Sequence, residues 1–231
     1  MTTKRRIVIV GASRGIGASL VRLLSADPNN ELLALARNKD KLALSFDGLE
    51  NVQTGYFDLY KDTRSTATAH FEAFGKFDVL INNAGYLVNK SFHEISHEDL
   101  LRSYQINVIG VMETVQASLP FLSDRGSHIV NISSIGGFQG SVKFPGLSAY
   151  STSKAALCSF TELFAEEYKN SSVKMNCLCL GAVQTEMLAE AFPGYQAPMS
   201  SDEMAQFIAH FALQGHRWMN GKILPVSLST P

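Results

Sequence analysis

The sequence predicts an α/β domain: a doubly wound, parallel sheet of about seven strands with helices on both faces. Three observations carry that expectation. Short apolar runs alternate with longer helix-like segments along the chain. Several of those runs are apolar at successive positions, as in a parallel sheet covered on both sides. A glycine-patterned turn, Gly11-Ala12-Ser13-Arg14-Gly15-Ile16-Gly17, joins the first run to the first helical stripe.

The predicted strands are Ile7–Val10, Leu32–Ala36, Val52–Phe57, Val79–Ile81, His128–Ile132 and Val173–Leu180, with a last one at Lys222–Val226. Between them, Ile16, Leu20, Leu23 and Leu24 share one helical stripe. Asp62–Phe74 is a weaker helix. Ser96 reads as an N-cap with Asp99 three residues on, opening a long helix over 97–122 through Leu100, Tyr104, Val108, Val111 and Val115. Ala149–Tyr168 is another long helix. Ala191–Ser201, with Pro193, Gly194 and Pro198, is the loosest stretch, and residues 186–201 are expected to form a small substrate flap on a single domain spanning 1–231.

Bulk properties narrow the classes of function. Of 231 residues, 45% are hydrophobic, enough for a substantial core. A net charge of −1 offers no electrostatic case for a nucleic acid or an anionic membrane. Cys158, Cys177 and Cys179 are an odd set without zinc-ligand spacing, so free thiols in a reducing compartment are expected and no metal site. Cys177 and Cys179 alternate onto one strand face as core thiols. Ile7–Val10 is too short for a signal-peptide core, and no run has transmembrane length, so a cytoplasmic protein is expected.

Two constellations carry chemistry. The glycines Gly11, Gly15 and Gly17 sit between a strand and a helix, where backbone can approach a pyrophosphate and the helix N-terminus presents unpaired N–H groups. Tyr150 and Lys154 lie four apart in a helix and share a face. A lysine ammonium beside the phenol is expected to lower the tyrosine pKa, making it a proton donor and acceptor near neutral pH. The turn implies a dinucleotide that exchanges hydride; together they read as a redox enzyme.

In that order and combination the chain resembles the short-chain dehydrogenase/reductase family in its compact, single-domain, Rossmann-like form. The resemblance covers nearly the whole chain. It implies that Gly11, Ser13, Arg14, Gly15, Ile16 and Gly17 form the cofactor turn and that Asp58 and Leu59 contact the adenine. Asn83, Ala84 and Gly85 belong to its strand-end motif, and Val183 and Thr185 lie on the nicotinamide side. Ser134, Tyr150 and Lys154 match its catalytic positions, Lys154 and Tyr150 also touching cofactor, while Asn107 would hold a water against Lys154. The structural alternatives are a strand-end cap for Ser134 and a satisfied core amide for Asn107. Departures are an insertion near Ser141-Val142-Lys143, Leu180-Gly181 in place of Pro-Gly, and Pro225-Val226-Ser227-Leu228 where Asp-Gly-Gly is frequent.

Arg14 and Arg37 bear on cofactor choice. No carboxylate ends the second strand, where one would bind the ribose hydroxyl of NAD. Two guanidinium groups suit the 2′-phosphate of NADP(H) instead, exposed arginines being the alternative. The expectation is an NADP(H)-dependent oxidoreductase interconverting a small-molecule carbonyl and an alcohol, assembled as a homodimer or homotetramer through the helices 97–122 and 149–168. Its rivals are a non-catalytic NADP(H)-binding regulator and a sugar-nucleotide epimerase.

Overall fold

The computed structural model describes residues 4–228; residues 1–3 and 229–231 of the expected domain lie outside them. Seven strands are observed: β1 (Arg5–Val10), β2 (Asn30–Ala36), β3 (Val52–Tyr56), β4 (Val79–Asn82), β5 (Ser127–Ser134), β6 (Val173–Leu180) and β7 (Ile223–Val226). They form one sheet in the order β3-β2-β1-β4-β5-β6-β7, and every pairing is parallel. The chain reverses its direction of progress between β1 and β4, and such a switch point opens a crevice at the strands' carboxyl ends.

Helices α1 (Gly15–Ser25), α2 (Lys39–Ser45), α3 (Thr63–Phe74), α4 (His97–Tyr104), α5 (Gly110–Ser118), α6 (Ser148–Glu167), α7 (Glu186–Ala191) and α8 (Ser201–Gln214) complete the fold. Strand residues alternate between two cores. Ile7, Ile9, Leu32 and Ala34 face Leu20 and Leu24 of α1 and Met204 and Ile208 of α8. Val8, Val10, Leu33 and Leu35 face Phe71 of α3, Val111 of α5 and Leu157 and Phe164 of α6. With both faces covered, the strands read as continuous apolar runs.

The structure differs from the sequence reading in specific places. The helix expected over 97–122 is broken into α4, a π-turn at residues 105–109, α5 and a closing 3-10 turn at Leu119–Phe121. In the π-turn the Gly110 N–H donates to the Gln105 carbonyl, one residue further back than an α-helix allows. Gly110 is needed beside it: a Cβ would come within 2.5 Å of the Leu59 carbonyl oxygen. Helix α2 gave no clear stripe, having only Leu42 buried. The segment expected as a flap over 186–201 begins with α7, capped by the Thr185 hydroxyl accepting the Leu188 N–H at 3.2 Å. The N-cap expected at Ser96 is present as a capping box with Asp99.

Candidate active site

At the carboxyl ends of the strands lies a cavity of about 670 Å³. Its walls include the β1–α1 turn, the ends of β4 and β5, the start of α6 and the segment leading into α7. The turn is built for close backbone approach. Gly11 has φ +88°, and a Cβ there would lie 2.6 Å from Ala84 backbone atoms. A Cβ on Gly17 would lie 2.0 Å from the Gly11 carbonyl oxygen, which accepts a 2.9 Å bond from the Asn83 amide. Arg14 at the N-cap of α1 makes no side-chain cap bond, and the first turn has no acidic residue. The leading N–H groups of α1 are therefore suited to an anion. These features fit a dinucleotide.

Every residue expected at the site, except Gly17 and Asn107, lines this cavity. Gly17 acts one layer behind, through its contact with Gly11. Asn107 is fully buried in the π-turn, with Oδ1 accepting the Tyr86 N–H at 2.8 Å. Its Nδ2 donates to the Tyr86 carbonyl and to Ser153 Oγ, each at 2.9 Å. The side chain is thus a clamp on the strand-β4 exit, and the core-amide alternative describes its bonds. A Cβ on Gly85 would lie 3.4 Å from both Asn107 Oδ1 and Lys154 Nζ, so glycine keeps the two close.

Ser134 ends β5, partly open to the cavity, and its Oγ accepts the Gly136 N–H at 3.3 Å. The inserted Ser141–Lys143 segment braces that turn: Lys143 Nζ donates to the Gly136 and Phe138 carbonyls at 3.0 and 2.7 Å. Tyr150 is half-buried and hydrogen-bonded to Ser134. Lys154 is buried, donates to the Ile132 carbonyl at 2.8 Å, and lies 5.9 Å from the centre of the Tyr150 ring.

The proton affinities correct one expectation. Burial pushes the Tyr150 phenol up to about 12, with the Ser134 bond opposing it, and burial pushes Lys154 down to about 8. Lys154 was expected to lower the phenol. Its ammonium is turned to the Ile132 carbonyl, so loss of solvation at the phenol is opposed only by the Ser134 bond.

Arg14 and Arg37 are not equivalent. Arg14 forms a forked ion pair with Glu190 of α7, and this raises its pKa. Arg37 is exposed at the cavity's far end, beside Asn38 and Lys41. Sequence reading missed Lys41; its position just after the β2 end was the available signal. It also missed Phe144, Leu147, Leu188, Phe192 and Tyr195, which give the cavity an apolar wall.

A crevice at the switch point of a doubly wound sheet, with a glycine turn on one wall and a Ser-Tyr-Lys set on the other, defines a dinucleotide-binding oxidoreductase architecture. The family model described as short chain dehydrogenase matches residues 5–196. The chain is 34% identical over 190 residues to oxidoreductase UcpA of Salmonella typhimurium, covering 80% of this chain and 72% of that one. It is 30% identical over 209 residues to oxidoreductase BOA17 of Botryotinia fuckeliana, covering 88% and 74%. Among solved structures, a short chain dehydrogenase from Burkholderia cenocepacia in complex with NADP superposes with a TM-score of 0.85. The two are 26% identical, with 97% of this chain and 96% of that one covered. The chain belongs to the short-chain dehydrogenase/reductase family of oxidoreductases, which bind nicotinamide cofactors and act on small molecules. Among the described residues, no helix is long and apolar enough to cross a membrane.

Proposed function

We propose that this protein is an NADP(H)-dependent carbonyl reductase whose proton donor is Tyr150. The observation that carries the reading is the phenol itself. It faces the cavity, is hydrogen-bonded to Ser134, and is held protonated far above neutral pH. A protonated phenol hydrogen-bonded beside the substrate oxygen has the proton that reduction of a carbonyl requires. When bound, the nicotinamide cofactor supplies the hydride.

The chain's own residues do the rest. Ser134 and Tyr150 hydrogen-bond the substrate oxygen and orient the carbonyl. Lys154 stabilises the phenolate left after proton donation and binds the nicotinamide ribose, while Asn107 positions Tyr86 and supports the Lys154 surroundings. Asp58 and Leu59 bind the adenine; Val183 and Thr185 border the nicotinamide. Arg37, Lys41 and Arg14 receive the 2′-phosphate, supported by the absence of any carboxylate at the end of β2. Residues 186–201 form the flap over a substrate end lined by Phe192 and Tyr195, which favours an apolar or aromatic carbonyl. We further propose a homodimer or homotetramer joined through α4, α5 and α6.

The test is a screen of aldehydes and ketones, aliphatic and aromatic, followed by NADPH consumption with NADH in parallel. Reduction of an aromatic or apolar carbonyl with NADPH is expected. Tight NADPH binding without turnover across the panel would return the protein to the non-catalytic regulator.

A further inference from the structure

We infer that Cys158, Cys177 and Cys179 form a three-thiolate site for Cu(I). The three residues are separated in sequence but meet in space: β6 presents Cys177 and Cys179 on one face, and α6 lays Cys158 against them. All three are free thiols and buried. Their sulfurs lie within 4.8 Å of one another, with Cys158 Sγ 3.5 Å from Cys179 Sγ and 3.9 Å from Cys177 Sγ.

The 3.5 and 3.9 Å separations are close to those of sulfurs sharing one ion, so small shifts would bring the three onto it. With metal–sulfur bonds of about 2.3 Å, sulfurs sit about 3.8 Å apart in a tetrahedral and about 4.0 Å apart in a trigonal arrangement. The donor set then selects the ion. A closed zinc site takes four ligands, and among the described residues no histidine, carboxylate or further cysteine joins this group. The adjacent Ser133 hydroxyl donates to the Lys154 carbonyl at 2.8 Å and accepts the Cys158 S–H at 3.5 Å, and a neutral hydroxyl is a hard, weak ligand for a soft ion. Three soft sulfurs without a hard donor favour Cu(I).

Binding replaces S–H bonds by S–Cu bonds. Each displaced proton leaves to solvent, copper stays Cu(I), and no electrons are exchanged. Lys154 precedes Cys158 by one turn of α6, and a cation there offsets part of the negative charge the ligands acquire. Cys158 has 8% of its surface exposed against none for the other two, so it marks the route of entry.

The experiment uses the whole, fully reduced protein under anaerobic conditions, titrated with Cu(I) against a chromophoric Cu(I) chelator. One ion retained per chain, with three sulfur neighbours by X-ray absorption at the copper edge, is expected. Cys158→Ser and Cys177→Ser, checked for folding by circular dichroism, should each weaken binding at least about 100-fold, since even outer partners of metal ligands are worth 10–100-fold. Copper surrendered completely to the chelator, or held with two or fewer sulfurs, overturns the assignment. So does undiminished binding in a folded serine variant. The X-ray absorption result decides on the unmodified protein if neither variant folds.

Discussion

At the scale of single residues, Tyr150 and Lys154 are moved in opposite directions by the same cause. Each is enclosed, and enclosure favours the neutral form of each, a protonated phenol and a less basic amine. A phenol near 12 remains a proton donor across the physiological range. Tyr150→Phe should therefore lower carbonyl reduction by ~10²–10⁴-fold, the usual worth of a general acid. NADPH affinity should change little, because the ring and its packing remain. Steady-state rates with a parallel cofactor titration check both halves, and activity within a few-fold of the parent would remove Tyr150 from the mechanism. In the cofactor-free protein, the phenolate absorbance lost in that variant should belong to a group titrating above a free tyrosine's value of about 10.

At the scale of elements, α2 and α7 set the surroundings of the two arginines that line the cavity. The turn from β2 into α2 brings Arg37 and Asn38 to the cavity and the first turn of α2 brings Lys41, whereas α7 brings Glu190 onto Arg14. On the proposed NADP(H) reading, a 2′-phosphate would compete with the Glu190 carboxylate for the Arg14 guanidinium. Cofactor titrations should give NADPH at least tenfold tighter binding than NADH, about 1.4 kcal/mol. Arg37→Asp should reverse much of that ratio by repelling the phosphate and accepting the ribose hydroxyl. Glu190→Gln should raise it by a few-fold at most, because the freed Arg14 no longer has a charged partner but the pair is exposed and screened by solvent. An unchanged ratio in both variants would remove the arginines from cofactor choice.

At the scale of the whole molecule, His128 ties β5 to the opposite layer. Its Nε2 accepts the Asn176 amide at 3.0 Å while the Asn176 oxygen accepts the Lys222 N–H, leaving Nδ1–H to donate to the Ala212 carbonyl at 2.9 Å. Burial, aided by His216, lowers its pKa to about 4. The unfolded residue binds a proton below about 6.5. The contribution is therefore complete above that value and is lost as pH falls from about 6.5 to about 4, amounting to ~3 kcal/mol. Denaturant unfolding at several pH values should show this slope, and His128→Gln should flatten it even if overall stability drops. Assembly belongs to the same scale. Leu101 of α4, Ile109 of the π-turn, Met112 of α5 and Leu163 of α6 are 55%, 44%, 37% and 67% exposed. Sedimentation is expected to give a dimer or tetramer; a monomer throughout the micromolar range would refute the proposed contact.

What the sequence by itself determined was local or periodic. The strand runs, the β1–α1 glycine turn, the Ser96 cap and the spacing of Tyr150 and Lys154 are written in neighbouring residues, since hydrophobic period, φ requirement and helical phase are short-range. Strand β3 and helix α6 were placed within a residue or so for that reason. Helix α2 and the π-turn were not, because α2 hides a single buried leucine and the π-turn depends on Leu59 passing close to Gly110. Only the tertiary structure decided the properties that depend on surroundings. It turned Lys154 to a carbonyl and raised Tyr150, gave Arg14 an acidic partner 176 residues away, and gathered three cysteines that lack ligand spacing along the chain. Desolvation, ion pairing and convergence of side chains are set by what packs nearby, and chain order does not encode that directly.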